Sequence, residues 1–427
     1  MVNDTNTLNG ALAELGETLA SNLTDMGIED IDAEDGLTTL ANKILEIEPS
    51  VAGLELATSM ELKALLDNSE EETVFFAKLL ANYDDTELTD VDLQGVLTGA
   101  TIKFMDDETV IGTSITNSNG ETSFKYNNLI DVEDGSAIFE GTNNFVACTS
   151  DINTTITGDM VLYTNSLSPS ISGLIGNNII IDWGDGTVVE YNDYAGHSYG
   201  QKGNYVIGIS GNITGFNDYS YWDSFSEIHL PNTLTSIGSS SIYSIKQKYL
   251  RIPSSVTSIG TNNSCTDIGA IEFEWTGANI IQRSIYNFQG QYCWFIVPAG
   301  SKQDYVNANY PSAQIFEKGT EPDNLNASNS ETNIVKPSGS SFANSTTLTA
   351  KVTKNGENVN GVKVSFQIWY DTGNEWNDYA FVNQIVTTDS NGEASYTYTA
   401  QGAGKIKAKV ITGYFTEEFD IYDSNEI

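Results

Sequence analysis

Eleven residues, "TNSNGETSFKY" at 116–126, recur almost unchanged as "TDSNGEASYTY" at 388–398. Each copy sets an Asn-Gly pair, Asn119-Gly120 or Asn391-Gly392, between runs that alternate polar and apolar residues. A tight turn between strands needs positive φ, which Gly adopts without steric cost, so both copies predict β-hairpin turns. The match continues upstream. "GATIKF" (99–104) parallels "GVKVSF" (361–366), and "TVFFAKL" (73–79) parallels "TTLTAKV" (346–352). Three matches in one order predict a duplicated β domain. The stretch "SMELKALL" (59–66) would by itself allow a helix, but alignment of the following segment to a clear strand in the second copy argues for β.

A chain of 427 residues exceeds one typical core and predicts several domains. Its 58 acidic residues against 19 basic ones give a net charge of −39. Phosphate binding needs Lys and Arg, so nucleic acid is excluded as an expected partner. Only 18% of residues are charged, and Ser, Thr, Asn and 37 Gly carry the polarity, as in exposed β modules rather than an acidic disordered tail. Cys148, Cys265 and Cys293 match no metal spacing, and His197 and His229 cannot build a His-rich site. No cofactor or metal is expected. The cysteines read as buried thiols, with a Cys265–Cys293 bridge as the alternative.

At the N-terminus, Leu8, Leu12, Leu15, Leu19, Leu23 and Met26 recur at helical spacing, as do Leu37, Leu40, Ile44 and Ile47 before Pro49. Residues 1–49 therefore predict a helical hairpin, too small to bury both stripes by itself. It is expected to pack on its own next domain, on a second copy of itself or on a larger assembly. "MVNDTNTLNGALAELGETLASNL" lacks the basic start and apolar core of a signal peptide, and no stretch offers the ~20 apolar residues that span a bilayer. Neither secretion by that route nor membrane insertion is expected.

The "G-x-x-V-x-F … T-D-x-N-G-x-A" wording at 361–394 and its partner at 99–122 resembles bacterial immunoglobulin-like (Ig-like) domains of invasin-type adhesins, covering 50–155 and 321–427. That resemblance implies antiparallel sandwiches acting as spacers or adhesive tips. Between them, "DWGDGT" with Asp182, Trp183, Gly184, Asp185 and Gly186, followed by His197 and Tyr205, resembles a polycystic-kidney-disease (PKD) type β module, placed at 156–215. Asp182, Asp185 and Glu190 raise the idea of a cation site, but Asp side chains bond local backbone in such turns and Trp183 suits a core, so these residues read as structural. "IHLPNTLTSIG" (228–238) and "LRIPSSVTSIG" (250–260) recur at a spacing of 22, which suits a leucine-rich-repeat solenoid and resembles BspA-type repeats, placed at 216–320. The fold class expected is mainly β: an N-terminal helical hairpin, two Ig-like sandwiches, a PKD-like module and a short solenoid.

Modules of kinds that work outside cells, behind a small helical hairpin and with no visible secretion signal, fit a virion component released by lysis. The opening "LGETLASNLTDMGIEDIDAEDGLTTLANKILEI" resembles the starts of viral tail and host-recognition proteins. The expected function is a tail adhesin or receptor-binding protein, extracellular on the virion. Residues 1–49 would bind other tail proteins, the distal end a host envelope glycan or surface protein, and the assembly would be a homo-oligomer. A bacterial or archaeal cell-surface adhesin and a purely structural spacer are the alternatives. An enzyme is not expected: no catalytic motif is present, and adjacent acids such as Asp84-Asp85 or Asp106-Asp107 point to opposite faces of a strand. The expected ligand-binding residues are Trp369, Trp376, Tyr379, Asn374 and Asn377. The connection from Phe366 to Thr388 spends twenty-two positions where the first copy, from Phe104 to Thr116, spends twelve. Alternation puts Val362, Val364, Phe366, Ile368 and Tyr370 on one face and Trp369 with Ser365 and Gln367 on the other.

Overall fold

The computed structural model describes residues 57–83, 93–142, 145–220, 222–242, 245, 247–263, 268–283, 288, 292–335, 343–371 and 380–424. The expected helical hairpin at 1–49 lies outside them. The protein is mainly β, built of several sheets with one six-residue helix, Lys302–Asn307, and no barrel among the described residues. No helix among them is long and apolar enough to cross a membrane. The described chain falls into two compact units, one of residues within 57–62, 76–124 and 133–153, the other of 63–75, 125–132 and 154–424.

In the first unit, Thr101–Asp106 lies between Thr109–Ile115 and Gly135–Phe139, with Cys148–Asp151 at the edge, all antiparallel. Residues from Glu72–Tyr83 pair with Leu93–Val96 and with Glu121–Tyr126. Apolar residues at alternate positions, Ala77, Leu79 and Ala81 on one strand and Ile102 and Phe104 on another, are buried because period-two alternation gives a sheet one dry face.

The C-terminal part of the second unit repeats this pairing. Lys363–Tyr370 lies between Ala380–Thr387 and Gly404–Thr412, Phe415–Ser424 follows, and Ser345–Lys354 pairs with Glu393–Thr399. Leu348, Ala350 and Val352 share one core with Val364, Phe366, Ile368, Ile406, Ala408 and Val410, so two sheets enclose it.

The duplicated eleven residues are explained by their bonds. Thr116 Oγ1 accepts from the Ala100 amide (2.9 Å) and donates to the Leu97 carbonyl (2.6 Å); Thr388 Oγ1 accepts from Val362 (3.0 Å) and donates to Val359 (2.8 Å). Asn117 Oδ1 accepts from the amides of Asn119 and Glu121, and Asp389 Oδ1 from those of Asn391 and Glu393. Gly120 and Gly392 hold φ of 71° and 72°, and their carbonyls accept from Leu79 and Val352, both at 2.9 Å. The shared Thr and Gly of the two copies thus each have a bond or a φ that depends on them, and Asn117 and Asp389 fill one role. Phe104 pairs with Gly112, while its counterpart Phe366 pairs with Gln384, so the ten-residue difference falls inside this one hairpin.

Upstream in the second unit, an antiparallel sheet runs Val188–Glu190, Leu174–Asp182, Tyr205–Phe216, Met160–Thr164, Glu227–His229. Four parallel strands then stack in order, Tyr249–Ile252, Ala270–Phe273, Trp294–Val297 and Ile315–Glu317. Leu250, Ile252, Ile271, Phe273, Phe295 and Val297 point into a core whose centre is Phe273, ringed by Trp275, Phe288, Phe295, Tyr305 and Tyr310. The alternate residues Ala270, Trp294 and Ile296 point the other way and belong to the C-terminal core, where Tyr414 and Phe415 meet the Trp294 ring. Buried Asn263 ties the layers together, accepting from the Ser241 and Ile242 amides and donating to the Gly238 and Gly260 carbonyls.

Candidate functional site

Trp369 sits on the C-terminal sheet, on the face opposite the Val364, Phe366 and Ile368 core, where alternation expected it. A register shift between Ile368 and Trp369 marks a bulge there. Its indole N–H donates to Gln367 Oε1 (3.0 Å), Gln367 Nε2 donates to Ser365 Oγ (3.2 Å), and Ser365 Oγ donates to Asn383 Oδ1 (2.9 Å). The Lys409 ammonium stands 5.0 Å from the indole centroid. Tyr370, grouped by alternation with the inner set, is half-buried and packs at a tilt against Phe381, with ring centroids 4.3 Å apart. The other expected contact residues, Asn374, Trp376, Asn377 and Tyr379, lie outside the described residues.

The Asp182–Gly186 turn is tied to its own backbone. Asp182 Oδ1 accepts from the Gly184 amide (2.9 Å) and Asp185 Oδ1 from that of Thr187 (3.0 Å). Trp183 is 1% exposed and stacks on His197, whose Nε2 lies 2.7 Å from Asp185 Oδ2. Tyr199 donates to the Trp183 carbonyl. Burial raises the Asp185 carboxyl's pKa, but the Thr187 amide and His197 outweigh it and hold it below the ordinary value.

A second polar cluster had no sequence signal. Residues 67–72 lie against Glu227–His229 and the first of the stacked parallel strands. Fully buried Asp67 places Oδ2 2.5 Å from His229 Nδ1, while His229 Nε2 lies 2.9 Å from Glu227 Oε1. Asp67 Oδ1 accepts from the Ser69 amide and hydroxyl. Arg251 repeats the arrangement, donating to Glu70 and Glu274, both at 2.9 Å, and to the Ser69 carbonyl. Each cation is thus held between one carboxylate from 67–72 and one on, or directly after, a strand of the unit. Burial disfavours the His229 imidazolium, but the bonds and charges of Asp67 and Glu227 outweigh it and push its pKa up to about 10. Burial likewise opposes the Asp67 carboxylate, and His229 and Ser69 hold its pKa below the ordinary value.

Asp67, Glu72 and His229 each offer one donor atom, all within 4.8 Å, the geometry of a potential cation site. Both ring nitrogens are already matched to carboxylates and Glu72 is paired with Lys125, so the cluster carries its own counter-cations. The cluster links Asp67 to a histidine 162 positions away, a pairing that neither spacing nor motif announces. Neither histidine bonds a Ser, Thr or Cys side chain among the described residues. Cys293 is buried and Cys148 half-buried; Cys265 lies outside the described residues.

No protein-family profile and no curated protein matches the chain. Among solved structures it is similar to a β-glucosidase from Listeria innocua in complex with glucose (12% identity, TM-score 0.18, 28% of this chain and 19% of that one). It is also similar to a calcium-stabilised adhesin with which an Antarctic bacterium binds ice (11%, 0.17, 87% and 74%) and to native E. coli alpha-2-macroglobulin (9%, 0.20, 86% and 20%). The alignment thus spans about a fifth of the glucosidase and of the macroglobulin. At these TM-scores none of them assigns a fold or a function.

Proposed function

We propose that this chain is a non-catalytic adhesin, the receptor-binding protein of a virion tail, which attaches the particle to a host cell envelope. The observation that carries this reading is the structural duplication: one strand pairing and one turn network occur twice, and only the second copy enlarges a hairpin beside an outward-facing Trp369. Duplicated sandwiches serve as spacers, and a single elaborated loop on a rigid sheet is where binding residues concentrate. In this reading the two copies are Ig-like domains, 156–215 is PKD-like, and the stacked parallel strands of 216–320 form a leucine-rich-repeat solenoid. Residues 1–49 attach the protein to the tail.

Immunogold labelling of virions with antibodies against the chain, followed by an adsorption assay with the same antibodies, tests this. Labelled tails and blocked adsorption are expected. Label on host cell surfaces and none on particles would overturn the virion setting in favour of a cell-surface adhesin.

A further inference from the structure

In a chain of net charge −39, the 22 residues from Met160 to Ile181 carry no charged side chain. Within that run Ser170–Ser172 pairs antiparallel with Tyr194–Gly196, Ser172 opposite Tyr194 and Ser170 opposite Gly196. Amide bonds from His197 to the Pro169 carbonyl (3.1 Å) and from Tyr199 to that of Leu167 (2.9 Å) carry the pairing on. Ile171 and Ala195 alternate into the core, so Ser170, Ser172, Tyr194 and Gly196 share the outward face.

Tyr194 is 64% exposed, and its ring lies back along its own strand. A β-carbon on Gly196 would stand 2.9 Å from the Tyr194 hydroxyl oxygen and 3.4 Å from ring carbons Cε1 and Cζ. The Gly196 φ is not left-handed, so backbone conformation does not require a glycine there; the missing side chain is what leaves room for the ring. The backbone leading into Tyr194 is pinned as well. Its amide donates to the Asn192 carbonyl (2.8 Å), and the Tyr191 hydroxyl donates to the Asp193 carbonyl (2.7 Å). The ring is thus backed by the strand and open to solvent. An aromatic ring held this way offers a flat apolar surface to the C–H face of a pyranose. The hydroxyls of Tyr194, Ser170 and Ser172 have no hydrogen-bond partner among the described residues and are free to bond sugar hydroxyls. The two strands carry no charged side chain, so they offer an ionic ligand no counter-charge.

We propose that this face is a stacking platform for a neutral pyranose glycan of a cell envelope, with the Tyr194 ring under one sugar and the Ser170 and Ser172 hydroxyls on its substituents. It is a second contact besides the Trp369 hairpin, and it rests on the adhesin reading only for the source of the glycan.

Calorimetric titration of the full chain with cellohexaose and with chitohexaose, two neutral pyranose oligomers, tests it. At least one should bind, with an affinity that does not fall as salt rises. Tyr194→Ala removes the ring and Gly196→Val lifts it off the strand, and each should weaken binding about tenfold or more. Tyr194→Phe keeps the ring and should stay within about threefold of wild type. Tryptophan fluorescence melting curves check that the variants fold. A ring that only shields the glycine would give a lower melting temperature in Tyr194→Ala and no sugar binding in the wild type. No binding of either oligomer, an affinity that falls with salt, or unchanged affinity in Tyr194→Ala would each overturn the proposal. If antibodies block adsorption while neither oligomer binds, the glycan assignment falls and the adhesin reading stands. Binding of an oligomer through Tyr194 by a chain that takes no part in adsorption sinks the adhesin reading alone.

Discussion

Asp67→Asn is the most informative perturbation of the fold. The substitution removes the negative charge from a fully buried carboxylate while leaving an oxygen to accept from Ser69, so the loss falls on the His229 contact at 2.5 Å. Breaking one partner from a buried pair costs about 3–5 kcal/mol. His229→Gln, which leaves Asp67 bonded only by its own turn, should cost a similar amount. If the two residues act as a pair, the double variant should lose less than the sum by about 1–3 kcal/mol.

The pH dependence has a defined sign. Asp67 has a lowered folded pKa, so its contribution is present above the unfolded value of ~3.9 and lost as pH falls through the folded one. His229 has a raised folded pKa, so its contribution is complete below ~6.5 and fades as pH rises toward about 10. The stability gap between wild type and His229→Gln should therefore be widest near pH 4–6.5 and close progressively by pH 10. All six tryptophans lie at position 183 or beyond, so urea unfolding followed by their fluorescence reports the second unit. Additive single-variant costs within about 0.5 kcal/mol, or a gap independent of pH, would refute the reasoning.

Thr388→Val leaves the Val362 amide and Val359 carbonyl without their hydroxyl partner and should cost about 1–3 kcal/mol in urea unfolding; Thr116→Val should do the same through Ala100 and Leu97, and unequal effects would show that the copies use the turn differently. Gly413→Ala should lower the melting temperature, because φ is 52° there and a Cβ would stand 2.2 Å from the Trp294 ring; wild-type melting would disprove that close approach. Trp183→Ala should cost about 3–5 kcal/mol as a core truncation. Asp182→Asn, by contrast, should leave cell adsorption unchanged, and a selective loss of adsorption with unchanged melting would mark the turn as a binding site.

By itself the sequence determined the local elements. Asn-Gly turns, period-two alternation and the recurrence at 116–126 and 388–398 made the paired strands and their duplication readable, because a hairpin is a contact between near neighbours whose φ requirements select residue types. The 22-residue recurrence reappears in the parallel pairing of Ser236 with Ser258 and of Ile237 with Ile259. Burial of Trp183 and the outward aim of Trp369 also followed from local pattern. Only the tertiary structure decided what meets across long separations. Asp67, Glu70, His229, Arg251 and Glu274 are ordinary polar residues at unremarkable spacings, and their charges acquire meaning only when folding removes them from water and forces each to find a partner. The same holds for Trp294, whose covering by Tyr414 and Phe415, about 120 residues downstream, nothing on its own strand announces. The hydrophobic effect is non-directional, so an apolar residue specifies that it will be covered and leaves the choice of cover to the packing of the whole chain.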